Sequence, residues 1–390
     1  MQIHPLITDT ATLTALCDRL AKADFVAVDT EFMRESTYWP QLCLVQIANV
    51  NEAAAIDPMA PGIDLKPLLD LLTDNEDVLK VFHAGGQDIE IVYKLTGKTP
   101  HPLFDTQIGA MALGQTEQVG YSNLVEAWLG INLDKGARFT DWSRRPLDKR
   151  QIDYAIGDVT HLATIFPMML DKLREMDRGW WIDDEMEKLA DPDNYHTLPE
   201  DAWERVKVQS RNPEALGRLK ALAGWREIEA QRKDLPRGRI MKDETLADVA
   251  MHPPRDQAAL GNIRGLSAGW KTNDIGERMM QALAAAEPMS RDDMPDRAAR
   301  KPGLGKDGAL VTDLLKLLLK IRSRDKNVAQ RLIVRSSELE ALAAGERDGL
   351  PVLTGWRFDL FGREALELVE GQMGFTVKRG KLVMTRTETD

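Results

Sequence analysis

The stretch Phe25-Val26-Ala27-Val28-Asp29-Thr30-Glu31-Phe32 is a short apolar run that two carboxylates interrupt. Its length and its β-branched and aromatic residues predict a buried β-strand. Residues i and i+2 of a strand share a face, so the side chains of Asp29 and Glu31 lie next to each other. Neighbouring carboxylates that lose hydration repel each other, and a bound cation or an exposed strand end relieves that repulsion. The pair therefore indicates either a metal site or a strand that emerges into solvent.

Strand-like and helix-like segments alternate on both sides of this stretch. Further strands are predicted at 42–48, 53–56 and 78–83. Helices are predicted at 87–95, from a cap at Asp105 to Leu113, from a cap at Ser122 to Leu129, and at 148–173. Strands mixed with helices in this way predict one α/β domain at residues 1–175.

The second half of the chain has almost purely helical patterns. We predict a linker at 176–205 that partly packs on its neighbours, a helical domain at 206–290, a second linker at 291–307 and a second helical domain at 308–390. A shift of the sequence by 93 places Leu222 on Leu315, Ile228 on Ile321 and Leu260 on Leu353. This agreement favours a duplication, so the expected fold is an α/β domain followed by two all-α domains.

Composition and charge narrow the class of protein. The chain has 390 residues, a net charge of −11 and only two cysteines, which excludes a disulfide framework and a cysteine-based zinc site. No apolar run is long enough for a bilayer and the N-terminus lacks signal-peptide features, so we expect a cytoplasmic protein. Residues 205–242 nevertheless hold 11 Lys and Arg against 4 Asp and Glu, and residues 301–335 hold 9 against 3. These basic stretches fit a phosphate ligand, although solvated helix faces would have the same composition.

Three more residues complete a candidate catalytic set. Asp88 lies in the first turn of a predicted helix directly after a strand, where a carboxylate ordinarily serves as a cap. Tyr154 and Asp158 are spaced i, i+4 and share a helix face, as many exposed acids and half-buried tyrosines do. Four acids from three separated segments are, however, what two hard divalent cations such as Mg²⁺ or Mn²⁺ require. Two such ions can activate a water molecule and stabilise the leaving oxygen of a phosphodiester.

The segments 28–32, 83–88 and 154–158 resemble the three exonuclease motifs of the DEDD superfamily. The tyrosine four residues before the last aspartate is typical of the Tyr-containing subclass, since the His-containing subclass has its histidine where this chain has Asp153. The segment 135–147 resembles the one that precedes the third motif in the ribonuclease D family. The segment 235–246 is similar to the HRDC domain of that family, and the resemblance weakens after Gly308.

This resemblance implies a ribonuclease H-like first domain and a metal-dependent 3′→5′ exoribonuclease that releases nucleoside 5′-monophosphates. It implies that Asp29 bridges two metal ions, that Glu31 and Asp158 help to hold the ion near the attacking water, and that Asp88 serves the second ion, in part through water. Tyr154 would orient the attacking water, because a free phenol is a weak base at neutral pH. The implied substrates are tRNA precursors and other small structured RNAs, which the helical domains would bind.

Six further residues are candidate substrate contacts. They are Phe32, His83, Gln87, Lys135, Trp142 and Arg145. Arginine and lysine bind phosphate, and tryptophan can stack on a base. The alternative is that Trp142 packs beneath the third motif, that the cations are solvated and that His83 ends a buried strand.

Two other functions use the same features. A DNA exonuclease of the proofreading or Werner type would have the same carboxylates, and dependence of activity on the 2′-hydroxyl would separate it from an RNA enzyme. A non-catalytic RNA-binding protein with a decayed site is disfavoured, because all four acids and the tyrosine are present. We expect RNA as the partner and no membrane association, and a monomer is favoured.

Overall fold

The central sheet of the protein contains both of the first two carboxylates. The structure is a computed structural model that describes residues 1–134, 136, 140–208, 210, 212–290, 293–294 and 307–386. The first six strands are Gln2–Ile3 (β1), Phe25–Met33 (β2), Gln41–Ala48 (β3), Glu52–Ile56 (β4), Leu79–Phe82 (β5) and Leu103–Asp105 (β6). They form one sheet in the order β1-β4-β3-β2-β5-β6, in which β3 is antiparallel to β2 and β4 and the other pairs are parallel. The α/β prediction is confirmed, and β2 lies inside the sheet between β3 and β5.

In the part of the chain up to Ala190 that the structure describes, seven α-helices accompany this sheet. They are Thr10–Leu20 (α1), Lys66–Thr73 (α2), Gly86–Thr96 (α3), Thr106–Ala112 (α4), Tyr121–Leu129 (α5), Lys149–Glu175 (α6) and Asp183–Ala190 (α7). The long helix α6 packs across β2, β3 and β4. Its start is fixed by a capping box, in which the Asp148 carboxylate accepts from the backbone N of Gln151 and the Gln151 side chain accepts from the backbone N of Asp148. The predicted cap at Ser122 is wrong, because α5 begins at Tyr121, after Gly120 and without a side-chain cap.

The predicted linker 176–205 is largely structured. It contains α7 and short 3₁₀ segments, Gly179–Ile182 and Pro199–Arg205 among them. Met186 of α7 joins the core of the first domain, whereas Trp203 joins the core of the first helical domain. The predicted packing on neighbouring parts is present, but the mixed composition of this segment did not indicate that its two ends pack on different domains.

The two helical blocks repeat at the offset seen in the sequence. The first block contains Pro213–Lys233 (α8), Arg237–Ile240 (α9), Asp243–Met251 (α10) and Asp274–Ala284 (α11). The second contains Gly308–Lys326 (α12), Gln330–Ile333 (α13), Ser336–Ala343 (α14), Gly355–Arg357 (α15) and Arg363–Val369 (α16). At a shift of 93, the first residues of α9 and α10 fall on the first residues of α13 and α14. The same shift places Asp234, which ends α8, on Asn327, which ends α12, and both have left-handed backbone angles. This match supports the duplication over the first three helices of each block.

The second block is not all-α as predicted. It ends in an antiparallel hairpin of Met373–Lys378 (β7) and Lys381–Arg386 (β8). The two turn residues, Arg379 and Gly380, have φ values of 51° and 76°, as a type I′ hairpin turn requires. Asparagine or aspartate before the glycine is the usual sequence signal of this turn. This chain has Arg379 at that position, so the hairpin was not predicted.

The two helical blocks contact the first domain in different ways. The second block shares one continuous hydrophobic core with it, and Ala329 N donates to Met111 O at 2.9 Å. The first block has its own core, which also takes in Tyr38 from the loop between β2 and β3. The Asp234 carboxylate there accepts hydrogen bonds from the backbone N of Tyr38 at 3.1 Å and of Trp39 at 3.0 Å. That loop begins directly after the strand of Asp29, so it ties the first block to the candidate site.

Two further sequence predictions concern membrane association and segments that the structure does not describe. Among the described residues, no helix is both long enough and apolar enough to cross a membrane. Lys135 and most of the predicted linker 291–307 lie outside the described residues.

Candidate active site

Three of the four predicted acids converge at one point of the sheet. Asp29 and Glu31 lie on β2, and Asp158 lies on α6, which crosses that strand. One carboxylate oxygen from each residue lies within 4.8 Å of the other two. Oxygen ligands in such an arrangement suit a hard divalent cation, so the donor set fits the metal that the sequence implies.

The electrostatics of this cluster favour a bound cation. Burial raises the pKa of Asp29 well above its ordinary value, and the like charge of Asp158 raises it further. Carboxylates held together without a counterion repel each other, and a bound cation removes that repulsion. The fold thus holds these acids in a state that a divalent ion would stabilise.

Asp88 lies beside the cluster and is not one of its three close carboxylates. It is buried in the first turn of α3, and its carboxylate accepts a hydrogen bond from the hydroxyl of Thr30. Burial raises the pKa of Asp88 well above its ordinary value, and the charge of Asp29 adds to that effect. That Asp88 acts on a second ion through water stays a prediction.

The turn that places Asp88 is itself held by a buried carboxylate. The Asp105 side chain accepts from the backbone N of Ala84 at 3.0 Å and of Gly85 at 2.8 Å. Ala84 has a φ of 55°, and a Cβ added at Gly85 would lie 2.5 Å from Cβ of Phe82. A side chain at position 85 would therefore displace the start of α3. The sequence indicated Asp105 only as a helix cap, and its second role depends on a contact 20 residues away.

Tyr154 lies one turn before Asp158 on α6. Its ring packs against Trp142, with centroids 6.2 Å apart and planes inclined by 40°. The hydroxyl of Tyr121 donates to the backbone carbonyl of Asp158 and lies 3.1 Å from that of Gly157. Tyr121 therefore fixes the third motif from the side of α5, a role that nothing in its local sequence indicates.

An open cavity of about 970 Å³ surrounds these groups. Seven predicted site residues line it: Asp29, Glu31, Phe32, His83, Trp142, Tyr154 and Asp158. Gln87 lies outside this lining and is exposed on α3. Phe32 follows Glu31 on β2 and is half-buried, which suits a contact with a substrate base.

His83 is engaged within the protein. Its Nδ1 lies 3.0 Å from the hydroxyl of Thr106, and its Nε2 lies 3.0 Å from the carbonyl of Val119. Burial lowers the pKa of the ring, which favours the neutral form. With both nitrogens in such contacts, the structure favours the alternative reading of a packed strand end over the predicted substrate contact.

Arg145 and Trp142 also have structural roles. The guanidinium of Arg145 donates to the Asp57 carboxylate at 2.7 and 2.6 Å and to the backbone carbonyls of Trp142, Arg144 and Cys43. These bonds use all five of its N–H groups, which leaves none for phosphate. Trp142 is only 2% exposed and packs in the core beside α6. Both observations oppose the predicted contacts of these two residues with substrate. They indicate that the segment of Trp142 and Arg145 supports Tyr154 by packing against it.

Comparison with known proteins decides the family. A family described as 3'-5' exonuclease matches residues 5–174, and the HRDC domain family matches residues 215–294. A ribonuclease D of Sphingobium indicum is 69% identical over 388 residues, covering 100% of both chains. A ribonuclease D of Zymomonas mobilis is 64% identical over 390 residues, again covering 100% of both. The chain belongs to the ribonuclease D family.

A solved structure supports the same family over nearly the whole chain. The crystal structure of Escherichia coli RNase D, described as an exoribonuclease involved in structured RNA processing, superposes with a TM-score of 0.79. It is 28% identical, and the match covers 94% of this chain and 99% of that one. As a member of the ribonuclease D family, this protein is a 3′→5′ exoribonuclease that depends on divalent metal and acts on RNA.

Proposed function

We propose that Asp29, Glu31 and Asp158 hold a pair of divalent cations, Mg²⁺ or Mn²⁺, with Asp88 reaching the second ion through water. The observation that carries this proposal is the approach of the three carboxylates to within 4.8 Å of one another. Asp29 is the member that would bridge the two ions. The buried position of Asp88 behind Thr30 supports a water-mediated contribution.

The bound ions would supply charge stabilisation for the attacking water and for the leaving 3′-oxygen of the terminal phosphodiester. The protein's own residues place the reactants. Tyr154, one turn from Asp158 and lining the same cavity, orients the attacking water through its hydroxyl. Trp142 and Tyr121 keep the tyrosine and α6 in place, and Phe32 contacts the terminal base. Cleavage at this point releases one nucleoside 5′-monophosphate at a time from the 3′ end.

The proposed substrates are tRNA precursors with 3′ extensions and other small structured RNAs. The first helical block supports this proposal with exposed cations that have no ion pair among the described residues. They include Lys207, Lys233, Arg239 and Lys242. Other cations of the same basic stretch are structural, since Arg226 pairs with Asp243 and Arg237 pairs with Glu227. The exposed subset is the part that can bind phosphates.

The test is cleavage of an end-labelled tRNA precursor with Mg²⁺ or Mn²⁺, by the unchanged protein and by Asp29→Asn. The amide retains the size of the side chain but removes its charge, so we expect loss of cleavage and of Mn²⁺ binding with the fold retained. Melting of the metal-free variant should occur at an equal or higher temperature, since a like charge has left the cluster. Asp171→Asn, at an exposed acid on α6, the helix that also holds Asp158, is the matched control and should cleave normally. Normal turnover by Asp29→Asn at saturating metal would contradict the assignment.

A further inference from the structure

Gln46 is a buried amide that the proposed mechanism does not use. It lies in β3, its exposed fraction is 0%, and neither its Nε2 nor its Oε1 has a hydrogen-bond partner among the described residues. An amide loses hydration on burial, and without new hydrogen bonds that loss is uncompensated. A methionine or leucine would fill the same space without this cost. The amide therefore requires an explanation other than packing.

The sheet register places this amide beside the metal cluster. Gln46 pairs with Asp29 on one side and with Ala55 on the other. Directly paired residues of antiparallel strands present their side chains on the same face, with Cβ atoms roughly 4.5–5.5 Å apart. Ala55 has no polar side-chain atom, so Asp29 is the polar neighbour of Gln46 in this row of the sheet.

The helix that covers this face of the sheet places an alanine in the same apolar cluster as two strand residues. Ala155 of α6 packs in one small apolar cluster with Leu44 and Ala55, which lie on the same face as Gln46. Alanines on the neighbouring strand and on the covering helix leave room for a long side chain between them. Small apolar residues thus lie on the neighbouring strand and on the covering helix, and Asp29 is the acid in register with the amide.

We propose that Gln46 is a positioning residue, whose Nε2 donates a hydrogen bond to the carboxylate of Asp29 when Asp29 holds divalent cations. A carboxylate that bridges two ions must keep one orientation, and a fixed donor behind it supplies that orientation. This inference rests on the proposed metal assignment. It explains why β3 retains an amide where the surrounding residues would accept an apolar side chain.

The test compares Gln46→Met with Leu44→Met. Both changes stay within volumes that a core accepts, and Leu44 lies on the same strand face, in register with Glu31. Mn²⁺ binding to the protein without RNA, measured by electron paramagnetic resonance, should weaken about 10–100-fold in Gln46→Met and remain unchanged in Leu44→Met. The melting temperature of metal-free Gln46→Met should equal or exceed that of the unchanged protein, because no unpaired amide is buried. At saturating Mn²⁺, KM for an RNA oligonucleotide should be unchanged.

Each outcome bears on one of the two assignments. Unchanged Mn²⁺ affinity in Gln46→Met would overturn the positioning role, and so would a lower melting temperature with unchanged affinity. Gln46→Asn, whose amide is one methylene shorter, makes the same prediction if the methionine variant does not fold. Unchanged Mn²⁺ affinity in Asp29→Asn would instead refute the metal assignment itself. Loss of binding in Asp29→Asn together with normal binding in Gln46→Met would refute only the role of Gln46.

Discussion

At the residue scale, replacing Tyr154 by phenylalanine separates a role in water activation from a role in packing. Phenylalanine keeps the ring and its contact with Trp142, so Tyr154→Phe should fold and bind metal normally. What it removes is one hydroxyl, and the hydrogen bond that we propose it makes to the attacking water would be worth about 1–3 kcal/mol. We expect kcat to fall by roughly 5- to 150-fold with KM unchanged, measured by steady-state cleavage of an RNA oligonucleotide.

The pH profile of the same variant distinguishes orientation from proton transfer. If Tyr154 only orients water, the shapes of the two profiles agree and only their heights differ. A tyrosine that acts as the base would produce an alkaline limb that phenylalanine abolishes, with a loss of about 10²–10⁴-fold. Wild-type kcat in Tyr154→Phe would show that the tyrosine has only a structural role.

At the scale of residues, the structure brings three of the predicted acids together, whereas it engages the predicted cation Arg145 in internal hydrogen bonds. Asp29 and Glu31 stand out because carboxylates are unexpected within an apolar strand, so the anomaly is visible locally. Arg145 looks like a phosphate ligand until Asp57, 88 residues away, is seen to occupy its guanidinium. Gln46 was missed because a polar residue in a strand attracts attention only when its neighbours are known. The local pattern identifies a chemical type, and the identity of its partner is a property of the fold.

At the scale of elements, the buried Lys80 of β5 makes the stability of the fold depend on pH. It is a completely buried residue of β5, and its ammonium donates to the carbonyls of Asn75 and, at 2.6 Å, of His101. Burial lowers the pKa of Lys80 from 10.5 to about 8. Between these two values the unfolded chain holds a proton that the folded chain has lost. Unfolding then takes up a proton, so the stability due to this group rises with pH through that window.

The measurement is the free energy of unfolding from urea titrations at pH 7.5 and at pH 10.5, for the unchanged protein and for Lys80→Met. Relative to the methionine variant, the unchanged protein should gain up to about 3 kcal/mol between the two conditions, at about 1.4 kcal/mol per pKa unit. Cysteines and tyrosines titrate in both proteins and cancel in the difference. A difference that does not change with pH would show that Lys80 keeps its ordinary pKa despite its burial.

Elements with strong local signals were predicted well, and those defined by distant contacts were not. The capping box of Asp148 and Gln151 marks the start of α6 within a few residues of sequence. The hairpin of β7 and β8 has no such signal, because an arginine occupies the turn position that asparagine usually takes. The segment 176–205 is interpreted as a linker because its apolar residues are few and scattered, and residues such as Met186 and Trp203 pack into different cores.

At the scale of the whole molecule, the exposed cations of the first helical block should determine how RNA binding responds to salt. We expect the triple variant Lys233→Gln, Arg239→Gln, Lys242→Gln to bind a tRNA precursor more weakly, with a shallower dependence of log Kd on log salt. Each lost phosphate contact removes roughly 0.7–0.9 from that slope. Fluorescence anisotropy at several salt concentrations measures it.

The control for that experiment removes the same charge from another surface. Lys22, Lys66 and Lys98 are exposed on the first domain, and the latter two pair with Asp70 and Asp74. Their replacement by glutamine should leave the slope unchanged. Equal slopes in the two triple variants would show that net charge, and not the helical block, governs binding.

The shared core of the first domain and the second helical block has a consequence for biosynthesis. Apolar residues of the first domain, such as Leu173, belong to one cluster with Leu368, near the end of the chain. A ribosome adds about 5–20 residues per second, so roughly 10–40 s separate the synthesis of these two residues. During that interval the first domain has all its motifs but an incomplete apolar cover, whereas the block between them can complete its own core. The nascent enzyme therefore carries an uncovered surface until the region of Leu368 has been synthesised, and a chaperone that binds apolar chain segments would bind there.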